Sequence, residues 1–394
     1  MTNTMPQMDL EALAAALDPE RVMARATQET GLDDYAPVVE ALTVLVDSVG
    51  SEGRFNAVGY FAMAEDLNRW LTNWLKFRSD LERHPEILDE DVSDPIVILG
   101  LPRTGTTKLQ RVMSQHQSVH QLSMWKCFYP APVGEPDEHP DPRIALTTQL
   151  SDAMIAAFPD FPTMHPMASE EPEEDVFLMR NTLQCAVNGM LLRAPSYLDW
   201  LLNDHGVEES YDYLRQLLQY LQWQEGGRRG PWVLKTPLHL GRIDTLLSRF
   251  PAATLVHCHR DVSVCMASLC RIMEAARTIG SDNVDLGELG GFIVDFWSRE
   301  WELNLSQRSS VPSTQIVDVQ YEAIRTDSAA ICREVFAQRG MALSEHDVEA
   351  MTSWQSENPQ HRLGKIEYSL DRYDLTPAQV QKAFSTYLDL QFSS

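Results

Sequence analysis

Gly100 and Gly105 bracket the tetrapeptide Leu101–Thr104, directly after the apolar run Ile96-Val97-Ile98-Leu99 and directly before Thr106 and Thr107. Glycines at that spacing let a strand-to-helix turn aim several backbone N–H groups at one point, where the helix dipole also favours negative charge. Arg103 adds a fixed cation, Thr104, Thr106 and Thr107 add hydroxyls, and Lys108 follows. The spacing is that of a nucleotide-triphosphate loop, G-x-x-x-x-G-K-[ST], but Thr106 stands where that loop has its lysine. The stretch predicts an anion site. A P-loop kinase or NTPase, with Thr107 on Mg²⁺, is the rival enzyme reading, and the missing lysine weakens it.

Two further stretches carry chemistry. In "WVLKTPLHL" (232–240) Lys235 follows an apolar strand and is expected at its carboxyl end, where open α/β sheets bind ligands. His239 lies four residues on and is a candidate base or a histidine at a helix start. In "VHCHRDVSVCMAS" (256–268) Arg260 ends a strand and Ser268 lies eight residues later in the next helix, so the two are placed to grip a further phosphate beyond reach of the first loop. The other reading of Arg260 is an ion pair with Asp261. His257 and His259 share a strand face, but no third ligand is visible, so no metal site is predicted. Together these features describe a ligand with two separated anionic ends, such as a nucleotide carrying both a 5′-phosphate group and a 3′-phosphate.

The elements that must position these residues alternate. Residues 1 to about 90 read as helices, with a long amphipathic helix ending near Pro85. Strands are predicted in "PIVILG", "GPWVLKTP", "ATLVHCHRD" and "STQIVDVQYEAI", each leading into a helix, and helices over 144–158, 172–193 and 208–224. Five prolines in 128–143 mark a loop or lid. The expected fold is an α/β P-loop-like three-layer sandwich around a central parallel sheet. We expect a helical N-terminal extension over 1–92 and one catalytic domain over 93–394, with a helical cap insertion at about 128–228.

Composition narrows the function. With 44% hydrophobic and 23% charged residues in 394, the chain is that of a soluble globular protein. Its N-terminus is acidic rather than a signal peptide, and no stretch approaches the ~18 apolar residues of a membrane span. Six cysteines without a C-x-x-C pair suggest a reducing, cytoplasmic setting without stable membrane insertion. A net charge of −25 repels nucleic acid and other polyanions, so the second substrate is expected to be neutral or cationic rather than a polyanion.

"GLPRTGTT" resembles the 5′-phosphosulfate loop of sulfotransferases, whose donor is 3′-phosphoadenosine 5′-phosphosulfate (PAPS), and "RDVSVCMAS" resembles their 3′-phosphate motif. The likeness is greatest to the bacterial and mycobacterial branch that also carries "WVLKTPLHL", "FPAATLVHCHRD", "HPMASEEPEED" and "YSLDRYDLT", in this order over nearly the whole chain. The resemblance implies that Arg103 contacts the 5′-phosphosulfate, that the amides from Thr104 to Thr107 cradle it, and that Arg260 with Ser268 bind the 3′-phosphate. It also implies metal-independent sulfuryl transfer to an acceptor hydroxyl, and the aromatic- and Met-rich helices lead us to expect a small or lipid-like, neutral molecule as the acceptor. No γ-phosphate is then present to need the missing lysine.

Catalysis of an in-line displacement rests on fixed positive charge, for which Arg103 and Lys235 are the candidates, and on a base for the acceptor's proton. Animal enzymes of the family place a histidine where this chain has Pro237, and relatives often read W-E where it has Trp125-Lys126. The remaining candidates, in order, are His165, Glu174 and His239. Lys126 is an acceptor contact or a structural replacement, and Arg362 and Lys365 are candidates to close over the nucleotide. The empty base positions also keep open a non-catalytic nucleotide-binding protein.

Overall fold

The structure is a computed structural model that describes residues 9–134, 140–359, 362, 364 and 367–392. Five parallel strands form the sheet, β1 (Ile96–Gly100), β2 (His120–Gln121), β3 (Trp232–Lys235), β4 (Thr254–His259) and β5 (Ile316–Gln320), in the order β2-β3-β1-β4-β5. The four predicted strands are all present. The fifth, β2, has two residues, too few for any periodic signal. β1 lies at the centre and is buried on both faces. Val97 and Leu99 pack into one apolar cluster with Trp70, Trp74 and Trp301, while Ile96 and Ile98 pack into another with Leu109, Val335 and Phe336. Helices therefore cover both faces, which is why this strand reads as an unbroken apolar run.

The long predicted helix spans Ala57–Arg83, capped by Asn56, whose side chain accepts from the Gly59 N–H (3.0 Å). Met63, Leu67, Trp70, Leu71 and Trp74 recur at helical spacing and form its buried face. Its first turn meets the end of the helix Val262–Gly280. The Asn56 N–H donates to the Gly280 carbonyl (2.9 Å), and a Cβ on Gly59 would sit 2.2 Å from that oxygen. No side chain fits between the two backbones.

The single helix expected over 172–193 is not formed. Pro172 instead makes a bridge with Ser123, and short helices span Asp175–Met179 and Ala186–Leu191 with a turn at Leu183 (φ 60°). Backbone bonds explain why it does not begin at Pro172. The Met124 N–H donates to the Glu171 carbonyl (2.9 Å), the Trp125 N–H to Ser169 (3.0 Å) and the Glu173 N–H to Leu122 (2.9 Å). These contacts hold the acidic segment extended. Among the described residues no helix is long and apolar enough to cross a membrane.

Candidate active site

The loop after β1 depends on its glycines. Gly100 has φ 141°, and a Cβ there would lie 2.4 Å from the Cys258 carbonyl on β4. Gly105 has φ 89° and faces the Tyr321 ring. Arg103 also takes a left-handed conformation, φ 71°, which a non-glycine residue adopts at some cost. The surroundings hold it there. Arg103 Nε donates to Ser268 Oγ (3.1 Å), and Arg260 donates to the Arg103 carbonyl (2.8 Å) while its guanidinium lies 3.9 Å over the Tyr321 ring. The Arg260/Ser268 pair is thus not beyond reach of the loop, because Arg103 joins the two. Asp261 caps the helix Val262–Gly280 by accepting from the Val264 N–H (2.9 Å), rather than serving as the ion-pair partner of Arg260.

Thr106, Thr107 and Lys108 begin the helix Thr106–Met113 and line a large cavity together with Arg103, Gly105, Arg260 and Ser268. Lys108 is tied by its Nζ to the Arg325 carbonyl (3.0 Å). The Thr104 hydroxyl departs from expectation. It is buried and donates to Leu101 within the loop (2.7 Å), so it stabilises the turn instead of facing the cavity.

Lys235 is fully buried at the end of β3, not a solvated strand-end lysine. Its Nζ donates to Glu174 Oε1 (2.6 Å) and to Thr107 Oγ1 (3.2 Å), and Thr236 contacts the other Glu174 oxygen (3.4 Å). Beside it, His165 Nε2 meets Glu173 Oε2 (3.0 Å), and one ligand atom each of His165, Glu173 and Glu174 lie within 4.8 Å of one another. That trio has metal-ligand composition, but the Lys235 ammonium already supplies a cation against it. Burial alone would favour the neutral form of Glu173, yet His165, Lys235 and Arg111 hold it ionised with a pKa of about 2. We expect a loss of stability as pH falls from about 4.5 to about 2, the interval over which the unfolded chain binds this proton before the folded one does. Acid unfolding followed by circular dichroism, with Glu173→Gln flattening the transition, checks this.

His239 does not reach the cavity. It is fully buried, with Nε2 on Asp175 (2.7 Å) and Nδ1 on the Tyr211 hydroxyl (2.8 Å), so neither nitrogen is left for an acceptor. Asp175 also accepts the Lys235 N–H (3.0 Å), and the network fixes the end of β3. Lys126 is likewise structural. Its Nζ is paired with Glu225 and bonded to the Gln121 carbonyl (3.0 Å), beneath Trp125 and Trp232. Burial works against it, but His120 and Lys126 hold Glu225 at a pKa of about 2. Glu225→Ala leaves a buried lysine uncompensated, and a loss of about 3–5 kcal/mol in denaturant unfolding is the expected cost.

His257 and His259 do gain the third ligand that the sequence did not reveal, Asp318, whose Oδ1 lies 2.6 Å from His259 Nε2. Arg308 donates to His257 Nδ1 (3.0 Å) and to both Asp318 oxygens (3.1 and 2.8 Å), placing a guanidinium among them. Of the residues expected to close over the nucleotide, Arg362 lines the cavity, and Lys365 lies outside the described residues.

The family profile described as "Sulfotransferase family" matches residues 95–345, from β1 through the segment that follows β5 and its helix. The chain belongs to the sulfotransferase family. It is an enzyme that transfers a sulfuryl group from a donor cosubstrate, and the kinase reading is not favoured. The sulfotransferase is similar in structure to sulfotransferase STF9 from Mycobacterium avium (TM-score 0.83, 27% identity, 94% of this chain and 96% of that one). It is also similar to STF1 from Mycobacterium tuberculosis H37Rv (TM-score 0.79, 30% identity, 93% and 98%). Among curated relatives, omega-hydroxy-beta-dihydromenaquinone-9 sulfotransferase Stf3 of Mycobacterium bovis is 25% identical over 317 residues, 73% of this sulfotransferase and 78% of that protein.

Proposed function

We propose that the donor is PAPS and that the acceptor is a hydroxyl on a small or lipid-like molecule with a large apolar portion. The observation that carries the donor reading is the Arg103–Ser268–Arg260 cluster joined to the glycine loop, two anion-binding sets meeting at one arginine. When bound, PAPS supplies the sulfuryl group and a phosphate leaving group. The loop amides and Arg103 hold its 5′ end, and Arg260 with Ser268 hold its 3′-phosphate. Lys235, dry and touching Thr107, supplies positive charge where the leaving group's charge develops, with no metal required for that role.

In this reading His165 takes the acceptor's proton. Glu173, held ionised, accepts from Nε2–H and leaves Nδ1 as the basic nitrogen, without a partner among the described residues. Glu174 is a positioning residue, with both oxygens engaged by Lys235 and Thr236. The acceptor reading is supported by the cavity, about 1310 Å³, whose walls away from the loop include Phe128, Leu150, Met154, Phe177, Ile272 and Met273. The menaquinone-type acceptor named for the mycobacterial relative is of the same apolar kind. We assign the chemistry to residues 93–394, with 1–92 as an extension packed on them and about 128–228 as the cap.

Isothermal titration with 3′-phosphoadenosine 5′-phosphate, against ADP and ATP with Mg²⁺, tests the donor. Tight binding of the 3′-phosphorylated nucleotide, weakened about ten- to a hundredfold in Arg260→Ala, is the expected result. Equal binding of ADP, or preference for ATP, overturns it.

A further inference from the structure

Arg260 stands at a junction. It falls between the last pair of the β4–β5 ladder, His259 with Gln320, and Asp261, the cap of the helix Val262–Gly280. Its side chain lines the cavity, but both of its backbone polar groups go to a residue 127 positions along the chain. The Arg260 N–H donates to the Tyr387 hydroxyl (3.0 Å), and the same hydroxyl donates to the Arg260 carbonyl (3.0 Å). One phenol oxygen thus fixes the peptide groups on either side of the arginine's Cα. Those two groups set the direction in which the side chain leaves the backbone.

Tyr387 is itself tightly held. It belongs to the helix Ser385–Phe392 and is fully buried, with its ring edge-on to Trp301 (4.6 Å) and 6.0 Å from His259. The preceding residue, Thr386, accepts from the Trp301 indole N–H (2.9 Å) and donates to Glu302 (2.6 Å), which docks this helix on Leu286–Arg308. Burial pushes the Tyr387 phenol above its ordinary pKa, so it keeps the proton that it donates to Arg260. On the cavity side, the Arg260 guanidinium lies over Tyr321 (3.9 Å) and donates to the Arg103 carbonyl (2.8 Å), and Arg103 reaches Ser268 (3.1 Å). Contacts therefore run from the buried tyrosine to every side chain assigned to the 3′-phosphate.

We propose that Tyr387 is a positioning residue for the donor nucleotide. By clamping both backbone groups of Arg260 it aims the guanidinium at the 3′-phosphate, and so sets the preference for a 3′-phosphorylated nucleotide. This rests on the reading of Arg260 and Ser268 as the 3′-phosphate site.

The test is calorimetric titration of Tyr387→Phe, which removes one oxygen and keeps the buried ring. Affinity for 3′-phosphoadenosine 5′-phosphate is expected to fall about five- to tenfold, while affinity for ADP stays within about twofold, so discrimination between the two narrows. Two comparisons separate aim from general support. Thr386→Val removes the neighbouring anchor of the same helix without touching Arg260, and it lowers the melting temperature with the nucleotide preference intact. In an Arg260→Ala background Tyr387→Phe costs no further affinity, because the group it aims is gone. Unchanged discrimination in Tyr387→Phe, or an equal loss of affinity for both nucleotides, overturns the clamp. So does a further loss in the Arg260→Ala background, a preference narrowed as much by Thr386→Val, or a Tyr387→Phe protein too unstable to titrate. A wild-type enzyme that binds the 3′-phosphorylated nucleotide no better than ADP overturns the donor reading instead.

Discussion

Lys235→Met leaves about a hundredth to a thousandth of the wild-type kcat, with affinity for 3′-phosphoadenosine 5′-phosphate changed far less. Methionine matches the length of the buried stem and removes only the ammonium. That ammonium is fully enclosed, so water does not screen it, and it touches Thr107 in the loop helix and Glu174 in the acidic segment. Steady-state turnover beside nucleotide titration separates the two quantities. A fall in kcat of less than tenfold would reduce Lys235 to a structural partner of Glu174. Lys235→Arg is expected to recover little, because a planar fork does not reproduce the point charge that Lys235 places between Thr107 and Glu174.

The second large effect belongs to His165. His165→Ala lowers kcat by about 10²–10⁴ and removes the rise of activity with pH that a histidine base produces. Glu173→Gln keeps the ring in place but takes away the charge that favours the basic nitrogen. It therefore lowers kcat less than His165→Ala does. If His165→Ala keeps its activity within tenfold while Glu174→Gln loses it, the proton goes to Glu174 instead.

The parallel core and the glycine loop were legible in the sequence because both leave local signals. Central strands are unbroken apolar runs, and Gly100 and Gly105 stand where positive φ values demand them. What escaped was the pairing of distant residues. Lys235 and Glu174 are 61 positions apart and Arg103 and Ser268 165, and nothing in either segment announces its partner. The helix expected from Pro172 starts only at Asp175 for a related reason, since residues 122–125 bond the backbone at Ser169, Glu171 and Glu173 and hold it extended. His239 was misplaced because a histidine three residues past K-T reads the same whether it faces a cleft or Asp175.

The meeting of Gly59 with Gly280 ties these parts together mechanically. Gly280 ends the helix that carries Ser268, and Gly59 opens the helix Ala57–Arg83, both at the cavity wall. With backbone against backbone, the calibre of the chamber at that end is set by the thickness of a peptide group. An added methyl at Gly59 has to push the helices apart, and so acts as a gauge on which molecules are admitted, without altering a single group at the loop where the bond is made and broken.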